Sequence, residues 1–158
     1  MPHDWRSAYL TQAKSDYEIL KSLIAAKAPL CHRLHYLQMT TEKLAKGSLT
    51  LPGGARYPKT HDAFVKFVIS ARYRFPLQKA CGFNHHVSYV AYINSLMLLA
   101  AEIENLSPEG FDHPNPEYPW EAGGVIFVPV EHTFAALDFE KQVMKKRLEF
   151  IENCFQTA

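Results

Sequence analysis

Helical periodicity, interrupted by proline and glycine, is the feature that most narrows what this chain can fold into. Asp4 stands where a helix cap belongs, and Trp5, Ala8, Tyr9, Ala13, Tyr17, Leu20 and Leu23 or Ile24 return after it at three- and four-residue steps, the spacing of one apolar helix face. Pro29 ends that run and opens another, because proline is tolerated in a helix's first turn but not in its interior. Leu30, Leu34, Leu37, Thr41 and Leu44 share a face of this second stretch, LCHRLHYLQMTTEKLAKGSL, with Gly47 near its end. The segment TLPGGARYPK that follows, residues 50–59, is made of turn formers and reads as a loop.

Thr60 is the expected cap of a third helix, with Asp62 near its positive end and Phe64, Phe67, Val68 and Ala71 on one side. Phe75-Pro76 interrupts it, and a short linker runs through Gly82. The longest apolar segment spans Val87 to Leu106, with Val90, Ile93, Leu96, Met97, Ala100, Ala101 and Ile103 recurring helically. Its broad apolar arc predicts the central helix of the fold. From Pro108 to about His132, prolines, two adjacent glycines and the β-prone run Val125 to Val128 predict a long ordered loop containing a short strand or hairpin. A last helix over Thr133 to Phe155 would place Phe134, Leu137, Val143 or Met144, Leu148 and Ile151 inward.

These elements predict an all-α fold, an up-down bundle of about five helices with a long Pro/Gly/aromatic loop before the last helix, and a single domain over residues 1–158. A content of 47% hydrophobic and 21% charged residues is enough for one core. A net charge of +1 excludes a global field for nucleic acid or membrane, so any polyanion site must be local. Cys31, Cys81 and Cys154 form an odd set without C-x-x-C spacing, which argues against a disulfide framework and a zinc knuckle and for a reducing compartment. No signal-peptide core and no run of about 18 uninterrupted apolar residues is visible, and the expectation is a cytoplasmic protein that does not enter a membrane.

The segment Ala13-Lys14-Ser15-Asp16-Tyr17, the stretch Thr41-Glu42-Lys43-Leu44-Ala45-Lys46 and the helix start Thr60-His61-Asp62, in that order and spacing, resemble the HEPN family, the higher eukaryotes and prokaryotes nucleotide-binding domain. Glu117-Tyr118-Pro119 is similar to an aromatic-proline element of some members. The resemblance implies a dimerising helical domain that binds nucleotides or RNA, either as a homodimer or as a subunit of a larger complex, in a bacterial defence or toxin–antitoxin setting. In its catalytic members it implies metal-independent cleavage of RNA by an Arg and a His separated by four to six residues. Arg56 and His61 have four residues between them. Imidazole titrates near neutrality and could take a 2′-hydroxyl proton, while a guanidinium could stabilise charge developing on phosphate. Against this, Arg56 lies in a loop, Tyr57 replaces the polar residue customary after the Arg, and His61 already belongs to the Thr-His-Asp element.

Several other residues are candidates. Arg72, Arg74 and Lys79, beside Tyr73 and Phe75, could clamp a phosphate while a ring stacks on a base, although basic residues near a helix end also complement its dipole. Lys43 and Lys46 lie on neighbouring positions of one helix face, and Glu42 with Lys46 makes a favourable i,i+4 pair that predicts a salt-bridged surface. His32 and His35 are one turn apart, and His85-His86 point in different directions on a helix. None of these histidines is accompanied by H-E-x-x-H or a Cys at ligand spacing, so neither a metal nor another cofactor is expected. Phe111, Tyr118, Trp120 and Phe127 of the long loop are natural anchors for a protein partner. The favoured reading is a non-catalytic nucleotide- or RNA-binding or assembly subunit, with an endoribonuclease using Arg56 and His61 as the alternative.

Overall fold

In a computed structural model describing residues 4–106, 113–134 and 137–158, the chain folds as the expected all-α bundle. Its helices are α1 (Trp5–Ala25), α2 (Leu30–Leu49), α3 (Ala63–Ala71), α4 (Phe75–Ala80), α5 (His86–Glu104) and α6 (Gln142–Thr157). Between α5 and α6 lie the short strands β1 (Trp120–Ala122) and β2 (Val125–Phe127) and a 3-10 turn at Pro129–Glu131.

Local chemistry explains most of the boundaries. Asp4 Oδ1 accepts from the Ser7 N–H at 2.8 Å, the N-cap expected of it. Its Oδ2 accepts from Gly53 N–H at 2.9 Å and so ties the loop after α2 back to α1. These backbone donors hold the Asp4 carboxyl down to about 2. Helix α1 ends with Lys27 at φ 50, where the Ala28 N–H reaches Leu23 O and the Lys27 N–H reaches Ile24 O. This is a Schellman closure made with a residue other than glycine, and it comes before Pro29 caps α2. The hairpin in the long loop turns through Gly123 and Gly124, at φ 60 and 78, which is the geometry of a two-residue I′ turn.

The hub is α2, which packs against α1, α3, α5 and the 3-10 turn. The expectation of α5 as the central helix is therefore corrected. One side of α5, including Tyr89, Ile93, Leu96 and Ile103, is buried, but Ala101, placed inward by periodicity, is exposed. By length and composition alone α5 is also apolar enough to cross a membrane. Helices α1 and α2 approach closely at Gly47: a Cβ there would lie 2.8 Å from Leu10 Cγ and 3.2 Å from the Leu10 backbone nitrogen. A glycine inside a helix costs about 1 kcal/mol relative to alanine, and the tight crossing accounts for its presence.

Three further expectations change. The linker after Phe75-Pro76 forms α4, with Pro76 accommodated in its first turn. Thr60 does not cap α3; Asp62 occupies the cap position without a side-chain bond to the first backbone N–H groups of the helix, and the cap comes from α5. The last helix begins at Gln142 and not at Thr133. Leu137 and Phe139, two residues apart, are both buried, a spacing a helix face does not allow, and an Asp138 side-chain bond to Glu140 N–H turns the chain before α6.

Within α6 the inward positions are Met144, Arg147, Phe150, Ile151 and Cys154, while Val143 is exposed. Arg147 is 1% exposed. Its Nη2 donates to Leu96 O at 3.3 Å, whereas Nε and Nη1 have no partner among the described residues. Burial pushes its guanidinium down to about 9. The unfolded chain thus binds this proton more tightly than the folded one as pH rises above about 9, and the charged group opposes folding at neutral pH. Arg147→Met should leave the protein equally stable or about 1 to 4 kcal/mol more stable at pH 7, as measured by urea denaturation, with the advantage shrinking as pH rises above 9.

Candidate functional site

The motif-like residues of α1 and α2 form structure. Asp16 is 5% exposed, accepts from Lys43 Nζ at 2.5 Å and is also bonded by Gln12 Nε2 at 2.9 Å. Lys46 pairs with Glu42, which accepts from Gln38 Nε2 at 3.0 Å. Lys43 and Lys46, candidates for nucleotide or RNA binding, are therefore committed within the fold. The expected i,i+4 pair exists, but Lys46 is buried rather than part of a solvated surface.

At the start of α3, Glu104 Oε1 accepts from the Phe64 N–H at 2.6 Å and the Val65 N–H at 2.9 Å. An acid on α5 thus supplies the charge that the positive end of α3 calls for. Burial raises the Glu104 carboxyl, and the two backbone donors offset this only in part. Asp62 turns instead to Lys66 at 2.6 Å, an exposed pair in which the lysine lowers the carboxyl's pKa. His61 is exposed and lies with Gln38, Thr41, Glu42 and Glu104 around a space of about 10 Å³, room for a single water. Arg56 stacks over the Trp5 ring, its guanidinium carbon 5.2 Å from the centroid. No hydrogen bond or ion pair among the described residues joins Arg56 to His61.

A different arginine pair does converge. Arg6 of α1 and Arg74, just before α4, line a cleft of about 520 Å³ together with Ser48, Thr50, Tyr73 and Phe75. Arg74 Nη2 donates to Ser48 O at 2.6 Å, and its guanidinium lies 5.1 Å above the Phe67 ring. Burial lowers the Arg74 pKa, and the positive charge of Arg6 acts in the same direction. Neither arginine takes part in an ion pair among the described residues. Tyr73, Phe75 and Leu51, which also line the cleft, are strongly exposed. The cleft can neutralise an anion with two guanidiniums while offering a flat apolar surface.

Of the predicted basic cluster only Arg74 reaches this cleft. Lys79 Nζ sits 4.8 Å over the Phe75 ring, outside the lining, and Arg72 Nε is buried without a partner among the described residues. Arg6 escaped sequence reasoning because it precedes Arg74 by most of the core; the mark it left was a cation in the first turn of α1 with no acid at helical spacing.

The loop before α6 divides its aromatic residues. Trp120, 4% exposed, stacks on Phe127 at 5.5 Å and meets His132 edge-on at 4.8 Å. Trp120 and Phe127 hold the hairpin on the core and are not free anchors. Tyr118 is 61% exposed and remains available, and Phe111 lies outside the described residues. His32 and His35 line a shallow cleft beside this loop, where His35 Nδ1 is 3.7 Å from Glu117 Oε2. Among the described residues no group of three or more His, Cys, Asp or Glu side chains could hold a metal. Compared with known proteins, the chain matches no family model, no curated protein and no solved structure.

Two outcomes follow from this placement. Lys43→Ala leaves a buried carboxylate unpaired and should cost about 3 kcal/mol in urea denaturation, without changing ligand affinity. The folded Glu104 carboxyl titrates above its ordinary value of 4.5, so the folded state holds that proton more tightly, and stability from this group falls as pH rises from 4.5 through the raised pKa. Glu104→Gln keeps an acceptor oxygen for the α3 cap and should flatten that part of the stability–pH curve.

Proposed function

We propose that this chain is a non-catalytic, HEPN-like subunit that binds a nucleotide or single-stranded RNA in the Arg6–Arg74 cleft. The observation that carries the reading is the pairing of two guanidiniums, in no ion pair among the described residues, with the exposed rings of Tyr73 and Phe75 along one cleft. A phosphate oxygen reaching both arginines would gain two charge-assisted contacts, and a base lying on Tyr73 or Phe75 would gain stacking of about 1 to 3 kcal/mol. The overall charge of +1 confines the attraction to this neighbourhood and suits recognition of a short stretch of chain.

Cleavage through Arg56 and His61 lacks comparable support. Arg56 is engaged with Trp5 in the loop, and His61 faces the polar pocket beside Glu42 and Glu104. A bacterial defence or toxin–antitoxin system is the setting that the motif resemblance suggests for such a subunit.

Binding of a fluorescent single-stranded RNA of about ten nucleotides, and thermal shifts with mononucleotides, test the proposal. Arg6→Ala and Arg74→Ala should each weaken binding about tenfold or more, by loss of a charged contact worth about 1.5 to 3 kcal/mol. Arg74→Lys should not restore it, and the affinity should fall with salt. Arg56→Ala and His61→Ala should bind like the wild type, with the RNA intact in all cases. Wild-type binding by an Arg6→Glu, Arg74→Ala double variant would remove the cleft from consideration.

A further inference from the structure

The net charge of +1 is laid unevenly along the chain. All 17 lysines and arginines fall within residues 1–79 and 141–158, whereas residues 80–140 hold nine of the 16 acids and no lysine or arginine. The β1–β2 hairpin lies in that acidic stretch. Glu121 of β1 and Glu131 of the 3-10 turn are exposed and in no ion pair among the described residues. Glu117, at the base of the hairpin, is half exposed and lies 3.7 Å from His35 Nδ1.

The hairpin also carries an unfinished sheet edge. Its register pairs Ala122 with Val125 across the two-glycine turn, then Glu121 with Ile126 and Trp120 with Phe127. In an antiparallel ladder the pair next to a two-residue turn exchanges both hydrogen bonds and the following pair does not, so the N–H and C=O of Ile126 point outward from β2. Val128 keeps extended backbone at φ −109 and ψ 124, and its N–H leaves on the same side. None of these three groups has a backbone partner among the described residues. A lysine, a proline or a bulge usually blunts such an edge. Here it is lined by Ile126, 72% exposed, and by Val128, with Val130 exposed just beyond. At the base of the hairpin Pro116, Glu117, Pro119, Val128 and Val130 face His35 of α2 across a cleft of about 320 Å³, and Glu117 is the only acid in its lining.

We propose that the free edge of β2 and the cleft beside it dock an extended, cationic segment of a partner protein, which adds to the hairpin as a third strand. Such a strand bonds to the N–H and C=O of Ile126 and the N–H of Val128, and sets its alternate apolar side chains beside theirs. Its cationic side chains are met by Glu121, which faces Ile126 across the hairpin, and by Glu131, three residues after Val128. An arginine or lysine entering the cleft lays its apolar stem along Pro116 and Pro119 and brings its charged head to Glu117. Charge complementarity selects this occupant, because an acidic stretch without a lysine or arginine repels nucleic acid and anionic lipid alike.

This site is separate from the arginine cleft. Cys31, His32 and His35 at the start of α2 line the one, and Ser48 and Thr50 at its end line the other. At 1.5 Å per residue the two lie about 20 to 25 Å apart along that helix. A cationic segment at one end of α2 therefore leaves the other end open to an anion.

Fluorescence anisotropy of a labelled Arg-Val-Lys-Val-Arg-Val peptide with the full-length chain tests the proposal. The peptide should bind with a Kd below about 100 μM, more weakly as salt rises, and the same peptide with Glu in place of Arg and Lys should not bind. N-methylating either the valine nitrogens or those of the cationic residues should give affinities about tenfold or more apart, since only one alternate set faces the edge. Glu117→Gln should weaken binding several-fold. Ile126→Pro, which removes an edge N–H and no ladder bond, should weaken it about tenfold with an unchanged circular dichroism spectrum. Arg6→Ala and Arg74→Ala should bind the peptide like the wild type. Failure of the cationic peptide to bind, equal binding of the acidic one, equal effects of the two methylations, or wild-type binding by the Glu117→Gln, Ile126→Pro double variant would overturn the proposal. So would a self-associating wild type that Ile126→Pro disperses in sedimentation velocity, which would assign the edge to a second copy.

Discussion

The contact between Asp16 and Lys43 sets the register of α1 on α2, and the rest of the bundle is assembled on α2. An ionised carboxylate this deeply buried has to be met by a cation and by hydrogen bonds, and Lys43 and Gln12 do both. Around that polar point the seam is apolar and close, with Ala13, Leu20, Leu34 and Leu44 fully buried and Gly47 allowing Leu10 to lie against the α2 backbone. Sliding either helix by a turn would unpair the charges and drive Leu10 into a side chain. One polar contact thus gives specificity to a packing that apolar residues alone would leave more permissive.

A second theme is that helix ends are completed by distant parts of the chain. The positive end of α3 is satisfied by Glu104 of α5, and the loop after α2 is held by Asp4 at the start of α1. These bonds close the space between α2, α3 and α5 around His61 and hold the 50–54 loop over α1. The residues that looked most like chemistry in the linear chain, Glu42, Lys43, Lys46 and His61, are largely spent on this architecture. Arg6 and Arg74, in no ion pair among the described residues, gather with the exposed rings of Tyr73 and Phe75 where the start of α1 meets the end of α2 and the α3–α4 junction. Such a place suits binding, because side chains there are anchored by rigid helices yet are not needed to fill the core.

Arg147 is the exception to an otherwise consistent interior. A helix that brings an arginine to an inward position between Met144 and Phe150 leaves two of its nitrogens without a hydrogen-bond partner among the described residues, and no carboxylate among those residues bonds to it. Its long stem contributes apolar packing, as such side chains do elsewhere, but the head is buried as well. Periodicity could not have flagged it, since charge at that position predicts exposure, although of Val143 or Met144, Leu148 and Ile151 it placed Met144 and Ile151 where they are buried and Leu148 where it is half-buried.

The sequence by itself determined the helical class, the start of α1 at Asp4, the break at Pro29 and the glycine-turned hairpin, because caps, proline and positive-φ glycines act over a few residues. It determined as well which side of α3 would be buried and that the long loop would carry order of its own. Only the tertiary structure decided that α2 and not α5 is the hub, that Glu104 caps α3, that Trp120 and Phe127 fasten the loop, and that Arg6 joins Arg74. The physical reason is range. Hydrophobic period and turn chemistry are written in neighbouring residues, whereas which charges are paired and which are left free depends on partners brought together from across the chain.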